Sequence, residues 1–132
     1  MIKSANEFIS LCHSKDESDV ARSLADEAPL SVWEDLIFNF KIHQIDVVQN
    51  RTIPFEVMRV LASQGDGLVR SILAEKRRLP IDLFDFLSKD SSSLVRKKIA
   101  ANKKTPADVV KNLANDGDDD VARVARFRLN PV

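Results

Sequence analysis

The chain has 132 residues, 44% of them hydrophobic and 30% charged, with a formal net charge of zero, so it is long enough for one domain with its own core. A single cysteine, Cys12, excludes an intrachain disulfide and any metal or iron–sulfur site built on cysteines. The apolar runs are too short for a membrane span or a secretory leader, so a cytoplasmic address is expected.

The charge is unevenly placed. Residues 1–50 hold 9 acids and 4 bases, net −5, and residues 51–132 hold 16 bases and 11 acids, net +5. Such a division yields either two solvated surfaces of opposite sign or one end matched to a charged partner.

In chain order, SANEFISLC at 4–12 predicts a helix, with a capping-box pattern from Ser4 to Glu7. DESDVARSLADE at 16–27 predicts a second. From Pro29 onward the sequence becomes periodic. Pro54, Pro80 and Pro106 are spaced by 26, as are Leu61, Leu87 and Leu113, and Val69, Val95 and Val121. Pro29 opens an earlier copy one residue out of phase. Counting from each Pro, the third, fourth and seventh residues are apolar in all four copies: Val32, Trp33 and Leu36; Val57, Met58 and Leu61; Leu83, Phe84 and Leu87; Val109, Val110 and Leu113. That spacing lays them on one stripe of a helix.

Each Pro is expected at the first helical position, where its missing N–H costs nothing and its fixed φ suits the helix. Thr105 stands where it can cap the helix after Pro106, and Glu56, Asp82 and Asp108 fall in first turns. These helices are expected to end near Gln64, Asp90 and Asp116, before the polar linkers GDG, SSS and GDDD. A second short helix follows in each unit, LVRSILAEK at 68–76 and LVRKKIAAN at 94–102. Neither helix can cover its own stripe, whereas stacking units covers it.

The phrases LVRSILA at 68–74, LVRKKIA at 94–100 and TPADVVKNLANDGDDDV at 105–121 resemble the leucine-rich repeat variant family over about residues 29–131. The resemblance implies an all-α, short right-handed α-solenoid, akin to HEAT-type repeats. The expected layout is one domain, 1–132, with cap helices at 1–28 and about four 26-residue repeats at 29–131. One member of that family carries an iron–sulfur module; a lone Cys12 does not support one here, and no cofactor is expected.

Reactive constellations are sparse. His43 occupies the inward phase of Val69, Val95 and Val121, with Asp46 three residues on as a local salt-bridge partner, and no second His is at helical spacing with it. Cys12 reads as a thiol among apolar residues. GDG at 65–67 lacks the context of a phosphate loop, and DGDDD at 116–120 lacks the glycine and terminal glutamate of a calcium loop. Trp33, in phase with Met58 and Phe84, reads as core. Arg70 and Arg96 are expected to brace the linker acids of their own units.

A non-enzymatic protein-binding module is therefore the expected function. Small free-standing proteins of this kind are similar to bacterial immunity proteins, which bind and block a cognate toxin. A nuclease-type toxin is basic, so the acidic end is the expected contact: Asp16, Glu17, Asp19, Asp26, Glu27, Glu34 and Asp35. The partner is expected to be another protein, with no membrane or nucleic acid, and the free chain a monomer. The alternative is a nucleic-acid binder using a basic ridge of Arg51, Lys76, Arg77, Arg78, Lys103 and Lys104, with Asn102 in the same register. It lacks interleaved aromatics. An enzyme like the HEAT-like alkylpurine DNA glycosylases would need an aromatic and acidic pocket set that the sequence does not display.

Overall fold

A computed structural model describes residues 1–131; Val132, the last residue of the expected domain, lies outside them. Among the described residues the chain is all-helical, with ten α-helices, one 3₁₀ turn and no strand. Their contacts divide into two compact units, residues 1–64 and residues from 65 onward.

The first unit holds α1 (Ala5–Cys12), α2 (Glu17–Ala25), α3 (Leu30–Asn39), a 3₁₀ turn (Lys41–His43), α4 (Gln44–Gln49) and α5 (Phe55–Gln64). The capping box forms as expected: Ser4 Oγ accepts the Glu7 N–H at 3.0 Å. The Glu7 carboxylate reaches back one residue further than the usual pattern, to the Lys3 N–H at 3.1 Å. Asp16 caps α2 by accepting the Ser18 N–H. α1 packs on α2 and α3, and α3 packs on α4 and α5. The core is centred on Trp33, which meets the Phe8 ring edge-on at a centroid distance of 5.4 Å.

The second unit holds α6 (Gly67–Leu73), α7 (Ile81–Ser88), α8 (Ser93–Ala101), α9 (Ala107–Leu113) and α10 (Asp119–Leu129). Helices two apart in sequence lie side by side: α6 with α8, α8 with α10, and α7 with α9. All twelve residues of the apolar stripe are buried, the most open being Val32 at 7%. Each stabilises the fold by roughly 1.5–3 kcal/mol relative to exposure.

The prolines stand one position earlier than expected. Pro29, Pro80 and Pro106 have φ near −58° and ψ of 145–150°, an extended conformation, and are N-caps. Their carbonyls open the helix instead: Pro106 O accepts from Val109 N and Val110 N at 3.1 Å, and the other copies do likewise. Thr105 does not cap. It is buried, and its hydroxyl donates to Ile99 O at 2.6 Å, closing the end of α8.

Candidate functional site

Two arrangements recur at the repeat interval, and both decide which charged residues are free for a partner. The first is an arginine–aspartate ladder. Arg70 donates from Nε to Asp90 Oδ2 at 2.7 Å and from Nη2 to Oδ1 at 3.1 Å, while its Nη1 donates to Gly65 O. One interval on, Arg96 repeats this with Asp116 at 2.9 and 3.2 Å and donates to Asp90 O at 2.8 Å. Each arginine thus holds its own linker by a carbonyl but takes its carboxylate from the next unit, which corrects the expectation that it braces the acids of its own. Asp66, the acid of the linker before Arg70, is spent as the N-cap of α6, accepting the Val69 N–H at 2.9 Å, and the flat guanidinium fork matches the Asp90 carboxylate instead.

For Asp90, burial opposes ionisation, but hydrogen bonds from Arg70 and the Ser92 N–H outweigh it and hold the carboxyl below its ordinary range. For Asp116 the Arg96 hydrogen bond is the leading cause of the same downward shift. Asp118 accepts the N–H groups of Asp120 and Val121 as the N-cap of α10. Asp116 and Asp118 of the DGDDD run are therefore engaged in the fold.

The second arrangement closes helix ends. Asn102 is buried and spends both amide protons on Ala74 O and Lys76 O, at 2.8 and 2.9 Å, while its oxygen accepts the Lys104 N–H. Asn50, two intervals earlier, does the same with Ser23 O and Asp26 O, and its oxygen takes Thr52. Arg128, one interval after Asn102, donates to Ala100 O and Asn102 O. Asn102 thus lies beneath the surface, not on the basic ridge, joining the end of α8 to the end of α6.

The ridge residues divide accordingly. Lys76, in the same register as these clamps, is half-buried, and burial, aided by the charge of Arg78, pushes its amine down to about 8. Arg77, Arg78, Lys103 and Lys104 are exposed in the second unit, just beyond the ends of α6 and α8. Cations there offset the negative end of a helix dipole. Arg51 is exposed in the first unit, with its backbone N–H on Leu24 O. Arg77, Lys98, Lys103 and Glu75 line a groove of about 330 Å³ whose floor is Ala101 and Asn102.

The acidic residues of the first unit are also unequal. Asp16 is spent on its cap, where the Ser18 hydroxyl and N–H lower its pKa. Asp19 accepts the Ser14 hydroxyl, and Asp26 pairs with Arg22 at 2.8 Å. Glu17, Glu27, Glu34 and Asp35 are exposed and, among the described residues, make no ion pair. Glu34 and Asp35 share the outward face of α3 with Leu30 and Phe38, which are 45% and 46% exposed. The spacing 30, 34, 38 is one helical row. On the neighbouring α5, Phe55 and Glu56 are exposed as well.

One cluster was invisible to helical spacing. His43 Nδ1 lies 2.9 Å from Asp46 Oδ2, the pairing the sequence predicted, but the His13 ring stands edge-on to His43 at 5.4 Å. The second histidine comes from α1's end, 30 residues away in sequence. Cys12 is nearby, and burial together with the charge of Asp46 raises its thiol pKa against a hydrogen bond from Ser23. A raised thiol is a poor nucleophile at neutral pH. Among the described residues no three His, Cys, Asp or Glu side chains are placed to hold a metal ion, and no helix is long and apolar enough to cross a membrane.

No family model, curated protein or solved structure matches the chain.

Proposed function

We propose that this protein is a non-enzymatic binding module of the leucine-rich repeat variant type, a short α-solenoid of about four units behind an N-terminal helical cap, whose acidic first unit holds a basic partner protein. The observation that carries this reading is the outer face of α3, where Leu30 and Phe38 are exposed beside Glu34 and Asp35, neither of which makes an ion pair among the described residues, Asp35 accepting only the Asn39 amide at 2.7 Å. Apolar anchors provide affinity once water is excluded, and carboxylates around them select a basic surface and speed its capture. Glu27 and Glu17 extend the same charge.

The specific role is that of an immunity protein that blocks a toxin, acting from the cytoplasm as a monomer until it meets its target. A surface shaped by stacked helices suits recognition better than turnover. The histidine–aspartate pair is compatible with this role as a structural contact. The test is a protection assay against any toxin whose reading frame adjoins this gene, with Glu27→Lys, Glu34→Lys and Asp35→Lys combined. Loss of protection with an unchanged thermal melt supports the acidic face; full protection by the triple variant refutes it.

A further inference from the structure

The second unit carries a groove that the acidic reading does not use. Its walls carry three cations and one acid. The acid is already matched, because Lys98 Nζ lies 2.8 Å from Glu75 Oε1. Arg77 and Lys103 make no ion pair among the described residues. Two positive charges therefore face the same cavity unneutralised.

A groove at helix C-termini would ordinarily repel an anion, since free carbonyls point outward there. Here five of them are taken. Asn102 occupies Ala74 O and Lys76 O, Thr105 occupies Ile99 O, and Arg128 occupies Ala100 O and Asn102 O. Arg128 also brings its own positive charge behind the floor. The floor is rigid as a result, because the Asn102 amide has no proton and no principal acceptor left to rearrange. What remains open to a ligand is a shallow groove with guanidinium and ammonium donors and a small apolar contact at Ala101.

We infer that the groove between Arg77 and Lys103, floored by Asn102, binds a phosphate group. Arg77 offers a planar fork suited to two phosphate oxygens at once, and Lys103 a point charge lining the same groove. No aromatic side chain lines the groove, so it has no platform for stacking a base. The phosphate is either a small free phosphate ester or a nucleic-acid backbone, and recognition ends at the phosphate in both.

The test uses the whole protein and isothermal titration with inorganic pyrophosphate, a short duplex DNA and poly-glutamate. Arg77→Glu with Lys103→Glu is compared with Lys111→Glu plus Arg126→Glu, which changes the charge equally outside the groove. Thermal melts verify folding. Saturable pyrophosphate binding is expected, weakened about tenfold or more by the groove variant and about twofold or less by the control, as loss of two charge-assisted contacts requires. If duplex binds more tightly than pyrophosphate with the same sensitivity and a steep salt dependence, the phosphate comes from a nucleic-acid backbone. Parity between them assigns a small phosphate ligand. No saturable binding, equal weakening by both variants, or poly-glutamate binding as tightly as pyrophosphate overturns the assignment.

Discussion

Arg70 and Asp90, twenty residues apart, meet in a two-pronged ion pair in which the Asp90 carboxylate is only 6% exposed. The pair ties the linker before α6 to the linker after α7, since the same arginine also holds Gly65 O. Removing the guanidinium leaves a sheltered carboxylate with little beyond the Ser92 N–H. Arg70→Ala is therefore expected to cost about 2–4 kcal/mol in urea unfolding. Arg70→Lys should recover only part of it, because an ammonium cannot reproduce the fork. A loss under half a kilocalorie for Arg70→Ala, about that of an ordinary surface change, would show that the ladder is ornamental.

The ladder also sets an acid limit. Asp90 and Asp116 are held below the ordinary carboxylate range in the fold. A lowered folded pKa means that the stabilisation is fully present above the unfolded value, about 3.9, and is lost as pH falls through the folded values. Stability should thus decline steeply below about pH 4. In Arg96→Ala the slope should flatten, because Asp116 then titrates closer to its unfolded value. Parallel slopes in variant and parent would contradict this.

Lys76 acts in the same direction at alkaline pH. Its folded pKa, pushed down to about 8, is below the ordinary lysine value. Between about pH 8 and pH 10.4 the unfolded chain binds the extra proton, so stability from this group rises with pH across that window. Lys76→Met should remove that rise. Denaturant midpoints taken across the window would reveal it, and an identical pH profile for both proteins would show an ordinary amine.

Leu87, fully buried on α7, tests the stripe itself. Leu87→Ala is expected to cost about 2–5 kcal/mol. A cost far below that range would mean that the 26-residue period does not mark the core.

The stripe was legible because apolar periodicity is local: Val57, Met58 and Leu61 announce a buried face without reference to any other part of the chain. So were the capping box at Ser4 and the pairing of His43 with Asp46, both within one turn. Partners from outside a helix were not legible. Asn102 is polar and follows a helix, so it reads as surface until Ala74 O and Lys76 O are seen around it. His13 finds His43 only after α1 and the 3₁₀ turn are brought together. The arginines read as braces in the sequence, but which carboxylate each takes does not, since sequence offers Asp66 and Asp90 equally and only packing selects one. Thr105 looked like a cap because capping residues and buried hydroxyls share a composition. The acidic and basic sets were visible as counts. Which members are free follows from their contacts, as with Asp26 held by Arg22 while Glu34 is left open.

The acidic face is the centre of the functional account, and association kinetics test it most directly. The measurement is the rate of binding to a basic nuclease domain, the class of partner proposed, at low and at physiological salt, for the parent chain and for Glu27→Lys, Glu34→Lys, Asp35→Lys combined. Opposite charges accelerate encounter, and salt screens them. The parent should associate markedly faster at low salt, and the triple variant should be about tenfold slower or worse with the salt dependence abolished or reversed. Equal rates, equal salt dependence and an intact fold in the variant would contradict the claim that this face meets the partner.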